Sequence, residues 1–461
     1  MPSPSVSRSQ QSLTSGPIIK PLLMFMIPLM ISNIFQSLYN AVDTMVVGHY
    51  LGDQSLAAIG ACSSIFDMMV GFALGIGSGI SIVAGRSYGA GKPDLVKKTV
   101  VCALIIGLSV SLLITILGSA FIKPILRLLN TPEEVLAESY SYISIMLLFI
   151  VVMFAYNMCT GLLRAIGNSV VPLIFLMISS VLNVVLDVTF IGYLDMGVRG
   201  AAIATVIAQG FSALLCLIYI FKKTPLLVPK KEHFKVDRPL FLESLAQGLS
   251  SAFMSCFVAL GTVVLQSGIN SLGTHTIAGH TTARKIYMLC NMPIASMALA
   301  MGTFVSQNKG ADKRDRILKA IRFCYMYDFI VASVITLILW TFGPALVRLI
   351  SGSSDPTVVG NATRYLRVVG PFYFVLGLLN QTKMSLQGIG QKILPMVSSV
   401  IELIGKSLFV ALLIPVFGYN AVIWCEPIIW CVMATQLLIS FFMNPYIRNK
   451  HLPKAADAAK G

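Results

Sequence analysis

Gly89-Ala90-Gly91-Lys92-Pro93-Asp94 and Gly310-Ala311-Asp312-Lys313-Arg314-Asp315 lie 221 residues apart and agree at four of six positions. The same shift lays Leu51-Gly52 on Leu272-Gly273, Ala57 on Ala278, Ile65 on Ile286, Arg127 on Arg348 and Gly197 on Gly418. One offset that holds across more than a hundred residues marks a duplicated unit. Working outward from either copy, the flanking stretches are long and apolar, so the repeated unit is a bundle of hydrophobic helices.

Composition says what solvent that bundle meets. Of 461 residues, 56% are hydrophobic and 11% charged, against about 25% charged in soluble domains. A soluble fold could not hide so much apolar surface. A membrane-spanning helix needs roughly 20 mostly apolar residues. Twelve such stretches are read. Leu22–Val47, Leu56–Ala84, Thr99–Phe121, Ser139–Leu163, Val170–Gly192 and Val198–Phe221 form the first six. Ser244–Gly268, Ile277–Val305, Ala320–Phe342, Thr363–Gly388, Ile393–Phe417 and Ala421–Met443 form the second. The expected fold is an all-α membrane protein of twelve transmembrane helices in two six-helix bundles. Each half has an even number of crossings, so both share one orientation and are related by a pseudo-two-fold along the membrane normal.

Charge fixes orientation. With a cytoplasmic N-terminus, the outward-facing basic residues are Lys123, Arg127, Arg199, Arg348, Arg364 and Arg367. Arg284, Lys285, Lys383 and Lys406 fall inside helices, and the other Lys and Arg lie on the cytoplasmic side. That asymmetry accounts for most of the +15 net charge, so no nucleic-acid partner is expected. The protein is expected in the cell membrane as a multi-pass monomer with both termini cytoplasmic. The divisions expected are a tail over 1–20, a first lobe over 21–222, a linker over 223–243, a second lobe over 244–445 and a tail over 446–461. Met1–Lys20 is polar and reads as a disordered tail rather than a signal peptide. The nine Cys are scattered without a C-x-x-C pair, which argues against disulfide or metal frameworks.

Two like bundles facing each other leave a cleft at mid-membrane, and rocking them exposes it to either side in turn. Charges inside the bilayer are costly and mark function or pairing. Gln36, Asn40 and Asp43 share one face of the first helix. Asn183 and Asp187, spaced i, i+4, share a face of the fifth. With Asp43 and a hydroxyl such as Thr205 they would make a hard-oxygen site for a small cation, although a Thr in a membrane helix commonly bonds its own backbone. Pro28 is placed to bend the first helix. Glu402 and Lys406, at i, i+4 with the acid first, read as a self-neutralising structural ion pair. Asp67, Asp328 and Glu426 read as structural. Arg284-Lys285 and Asn380-Gln381 with Lys383 imply that the second half also meets water. The 25 Phe, 15 Tyr and 22 Met suit helix packing, and some suit a pliable pocket for apolar cations. No H-E-x-x-H, P-loop or G-x-S-x-G motif with partners is present, so no enzyme and no ATP-driven pump is expected.

Together, several motifs resemble the multidrug and toxic compound extrusion (MATE) transporters. They are Pro28, Asn40-Ala41-Val42-Asp43-Thr44, Gly48, Leu51-Gly52, Gly89-Ala90-Gly91-Lys92, Leu163-Arg164-Ala165-Ile166-Gly167-Asn168, Asn183-Val184-Val185-Leu186-Asp187 and Gly200-Ala201-Ala202-Ile203-Ala204-Thr205. The resemblance runs from about Lys20 to about Asn444. It implies a V-shaped cleft and export of organic cations or amphipathic drugs against inward H+ or Na+, with no other cofactor and no metal beyond Na+. Carried over by residue, the coupling site is Asp43, Asn183, Asp187 and Thr205. The substrate cavity is expected at Gln36, Tyr39, Asn40 and Asn157. The repeat partner of Asp43 is Val264, so the chain resembles the branch that couples through its first lobe. The competing reading is a lipid-linked oligosaccharide flippase of a related fold, for which Arg284, Lys285, Lys383 and Lys406 would line a cationic cavity.

Overall fold

The structure is a computed structural model that describes residues 13–129 and 131–448. Among the described residues there are helices and no strands. The first half contains α1 (Ile19–Gly89), α2 (Pro93–Leu128), α3 (Glu133–Leu148), α4 (Ile150–Ala165), α5 (Val170–Asp187) and α6 (Val198–Lys223). The second contains α7 (Arg238–Asn270), α8 (Thr274–Gly310), α9 (Arg314–Ser351), α10 (Pro356–Gly388), α11 (Ile393–Leu408), the short α12 (Ile414–Phe417) and α13 (Tyr419–Phe442), followed by the single turn α14 (Pro445–Arg448).

Among the described residues nine helices are individually long and apolar enough to cross a membrane, and α3 with α4 makes a tenth. The other two of the twelve have simple reasons for escaping that count. α1 has 71 residues, far more than one crossing needs at ~1.5 Å per residue, and is two crossings joined at Gly52, whose φ is 77°. α10 is 33 residues long but carries Asn380, Gln381 and Lys383, which dilute its apolar character.

The 221-residue repeat is visible in the backbone. Gly52 and its counterpart Gly273 both take positive φ, as do Gly197 and Gly418. These are chain turns in which a side chain would be strained. A π-helical segment follows α5 (Val188–Tyr193), and another follows α11 (Phe409–Leu413); they begin at corresponding positions. The quoted glycines sit where the halves meet. A Cβ on Gly89 would fall on the Gln307 carbonyl, and one on Gly310 would fall on the Arg86 carbonyl. Arg86 and Gln307 are themselves repeat partners, so the two contacts exchange under the pseudo-two-fold. Gly75 against Ala252 and Gly79 against Gln247 extend this close seam. The end where both halves begin is therefore shut, and the cavities lie beyond it.

Three expectations need adjustment. The crossing at Ser139–Leu163 is not one straight helix: it breaks at Phe149 with a 49° bend, without a Pro or Gly to announce it. The segment between the halves is shorter than 223–243, because α7 starts at Arg238. Asp237 caps it by accepting from the Leu240 N–H at 3.4 Å, and Pro239 suits its first turn. The leading tail is ordered from Leu13 on. Leu13 is fully buried, its N–H donates to Gln307 Oε1 and its carbonyl accepts from Asn308 Nδ2, both at 3.1 Å. Residues 1–12 and 449–461 of the two expected tails lie outside the described residues. Leu22, Phe25 and Leu29 pack into the apolar core of the second half.

Candidate functional site

α1 brings Gln36, Tyr39, Asn40 and Asp43 onto one wall of a cavity of about 260 Å³ inside the first half. Asn157 from α4 and Thr205 from α6 line it as well. All four expected cavity residues thus share one space, with Asp43 and Thr205 of the expected coupling set. Tyr39 links the walls: its hydroxyl donates to Thr205 Oγ1 at 3.4 Å. Gln36 Nε2 donates to Asn40 Oδ1 at 3.4 Å, one helical turn on. Asn157 is mostly engaged in helix packing, with its Nδ2 on the Met153 carbonyl at 2.9 Å.

Asn183 and Asp187 do not line that cavity. Both are fully buried on α5, behind the α1 wall, and Asp187 is the last residue before the π-helical segment. Such wide turns recur at functional sites, and nothing in the local sequence signals this one. Neither Asp187 oxygen, nor Asp43 Oδ1, nor either polar atom of the Asn183 amide has a hydrogen-bond partner among the described residues. Buried polar groups are nearly always satisfied. The donor set left over is two carboxylates and an amide oxygen, with the Thr205 hydroxyl nearby. It suits a proton or a small hard cation such as Na+ and no soft metal.

Pro28 is buried in α1, and Ser32 Oγ bonds its carbonyl at 2.8 Å. The backbone keeps helical dihedrals there; Gly52 is the non-helical residue of this element. The helical dihedrals continue through Pro28, the position expected to let α1 bend.

Charge in the second half is handled differently. Lys406 Nζ meets Glu402 Oε1 at 2.8 Å, the expected ion pair. It also lies 3.6 Å from Glu426. Arg284 Nη1 donates to both Glu426 oxygens at 2.9 Å, and the Tyr365 hydroxyl donates to Glu426 Oε2 at 2.7 Å. Sequence spacing revealed only the first of these pairs, since α8, α10 and α13 supply the others. Asp328 is buried and takes one bond, from Gln381 Nε2 at 3.3 Å. Two cavity groups went unread: Asp67, taken as structural, and Arg164, noted only within a motif, both face the cavity of the first half.

Comparison with known proteins places this geometry. The family model described as MatE matches residues 28–189 and 250–413 in two successive copies. The chain is 29% identical over 415 residues to the "Probable multidrug resistance protein YoeA" of Bacillus subtilis, covering 87% of this chain and 89% of that one. It is 23% identical over 440 residues to the "Probable multidrug resistance protein NorM" of Thermotoga maritima, covering 93% and 92%. Among solved structures it is similar to a MATE protein crystallised in complex with MaL6, at a TM-score of 0.87 and 25% identity, covering 95% of this chain and 98% of that one. A MATE structure titled as the straight conformation matches at 0.86 with the same identity and coverage. The repeat, the twelve crossings and the matched copies agree: this chain is a multi-pass membrane protein and belongs to the MatE family of multidrug efflux transporters.

Proposed function

We propose that the chain is a secondary active exporter in which H+ or Na+ enters the first half at Asp43, Asn183, Asp187 and Thr205 and drives out an organic compound. The observation that carries this reading is a pair of carboxylates on neighbouring helices with unmatched oxygens. Two acids in a dehydrated pocket repel when both are ionised. A proton or Na+ between them removes that repulsion and lets α1 settle against α5. Gln36, Tyr39 and Asn40 belong to the same helix as Asp43, so ion loading reshapes the wall that holds the substrate. Pro28 leaves α1 one backbone hydrogen bond short, which makes it the place where the helix would yield. Coupling follows because ion and substrate prefer different shapes of one lobe.

The basic residues cluster at the shut end, so the positive-inside rule puts that end and both termini in the cytoplasm. The shape is then open outward, ready for ion entry and substrate release. The protein works as a monomer in the cell membrane, with amphipathic small molecules as its partners and no nucleic acid. The test is dye efflux in everted vesicles with ΔpH and a Na+ gradient imposed separately. One gradient should drive transport, and Asp43→Asn should stop it. A variant that exports at the parental rate would remove this reading.

A further inference from the structure

The first half carries another cavity, on its outer face and separate from the one that holds Asp43. It is a groove of about 330 Å³ between α2, α4 and α6. Its walls include Leu104 and Leu108 of α2, Phe154 of α4 and Phe221 of α6, and apart from the Cys159 thiol every lining side chain is apolar. Leu108 is 60% and Phe221 63% exposed, so the groove opens toward lipid. It stays hollow because Ala103 and Gly107 on α2 and Ala155 on α4 are small. A Cβ on Gly107 would come within 2.7 Å of the Met158 Sδ.

Along α2 the lining runs from Val100 to Leu108, and along α4 from Val151 to Leu162. At the helical rise these stretches are about 12 and 16 Å long, close to one leaflet of a hydrocarbon layer ~30 Å thick. Leu162 lies one turn before the end of α4, so the groove begins at the end of the bundle where the halves are joined. Leu227, Pro229 and Phe234 of the joining segment close over it there. The buried His233, 3.4 Å from Asp94 at the start of α2, fixes that segment in place. Around this roof, residues 222–236 hold Lys222, Lys223, Lys230, Lys231 and Lys235 against one acid, Glu232. All five lysines are exposed, and none pairs with an acid among the described residues. Glu232 lies instead 3.9 Å from His233.

We propose that this groove binds an acyl chain of one anionic phospholipid, with the phosphate of that lipid seated among the lysines of the joining segment. A lipid tail gains nothing by leaving one apolar medium for another. The shape of the groove therefore holds the chain, and the lysines choose the headgroup. Clusters of roughly four to eight Lys or Arg beside a membrane helix attract anionic lipid, and each such residue is worth roughly fivefold in binding. With the shut end cytoplasmic, as proposed above, the leaflet on that side is the anionic one. A lipid seated there touches α2, α4, α6 and the joining segment at once, and so fastens the connection between the halves to the first half. The site is apart from the ion and drug cavity and does not depend on the export reading.

The test uses dioleoyl phosphatidylglycerol and dioleoyl phosphatidylcholine, which share their chains and differ in headgroup charge. Retention of each by the purified full-length protein is counted by native mass spectrometry at equal lipid concentration. The parental protein should hold one phosphatidylglycerol about tenfold more tightly than phosphatidylcholine. Lys222→Gln/Lys223→Gln/Lys231→Gln should bring that ratio close to one. Lys319→Gln/Arg322→Gln, which removes two exposed cations near the start of α9, should leave it unchanged. Ala155→Phe fills the groove and should abolish the tightly held lipid. Val151→Trp crowds the lipid-facing edge and should weaken retention about tenfold, which keeps the groove under test if Ala155→Phe does not fold. Equal retention of the two lipids by the parental protein overturns the assignment. So does a preference that survives the triple lysine variant or falls as far in the α9 variant, and so does a folded groove variant that keeps the lipid as the parent does.

Discussion

The two halves share a fold, but the acid pair of the first and the Glu402–Glu426 cluster of the second are treated in opposite ways, while Asp328 of the second half keeps one oxygen unmatched. In the second half Glu402 and Glu426 are held by Lys406, Arg284 and Tyr365 in one continuous network. In the first half Asp43 and Asp187 have oxygens that no protein donor meets. A satisfied buried network stiffens the lobe that contains it. An unsatisfied acid pair leaves its lobe sensitive to whatever cation arrives. Duplication supplied two equivalent scaffolds, and the placement of basic residues leaves their acids in different surroundings.

The sharpest way to break that contrast is to neutralise the acids. Asp43→Asn and Asp187→Asn should each abolish gradient-driven dye efflux from everted vesicles at matched protein levels. The folded protein should survive, because removing an unpaired buried charge leaves no new orphan. Fluorescence-detected melting in detergent should show an unchanged or higher transition. Glu426→Gln should do the reverse. It strands Arg284 and part of the charge on Lys406, and breaking one side of a buried ion pair costs about 3–5 kcal/mol. Its melting transition should fall well below that of Asp187→Asn. A Glu426→Gln protein as stable as the parent would mean that the second-half network carries no structural load.

Much of this contrast could be read from the chain, and the part that could not has a physical reason. Spacing on one helix is visible in sequence, so Glu402 with Lys406, and Gln36 with Asn40 and Asp43, were legible. Contacts between helices depend on crossing angles and depth. Arg284 to Glu426 joins α8 to α13, and no local pattern links residues 142 positions apart. The wide turn after Asp187 and the bend at Phe149 also lack a sequence marker, since neither uses Pro or Gly. Pro28 is the converse case: the residue that usually marks a bend is plain in the sequence, yet the helical dihedrals continue past it. Proline removes a hydrogen bond and so permits a bend, but packing decides whether it happens.

A weaker effect is expected at the seam where the halves are most alike. Gly89→Val and Gly310→Val each push a side chain into the partner's backbone carbonyl, at Gln307 and Arg86. Because these contacts exchange under the pseudo-two-fold, the two variants should behave alike, unlike any acid swapped between the halves. Both should favour the conformation in which this end is parted, seen as a longer distance between spin labels on α2 and α9. If only one of the pair shifts that distance, the seam is less symmetric than its glycines imply.

The smallest effect concerns the segments that lead into each half, where symmetry returns in another form. Residues 13–16 precede α1 yet dock on the second half: Arg316 donates to the Gly16 carbonyl at 2.7 Å and to the Leu13 carbonyl at 3.2 Å. The segment before α7 docks on the first half, where Lys98 reaches Asp237 at 3.5 Å and the buried His233 lies 3.4 Å from Asp94. Each half is thus strapped by the other's leader. Arg316→Ala removes one clasp while the bonds of Gln307 and Asn308 to Leu13 remain. The loss should be about 1–2 kcal/mol, since the Arg316 guanidinium gives up four hydrogen bonds, to Gly16, Leu13, Ser15 and Asn308, at a partly exposed site where water replaces much of their worth. It should appear as a modest rise in chymotrypsin cleavage after Leu13 with melting almost unchanged, and adding Lys98→Ala should loosen the other strap independently, so that the two effects add. Strong coupling between these distant changes would mean that the straps open together with the seam rather than one at a time.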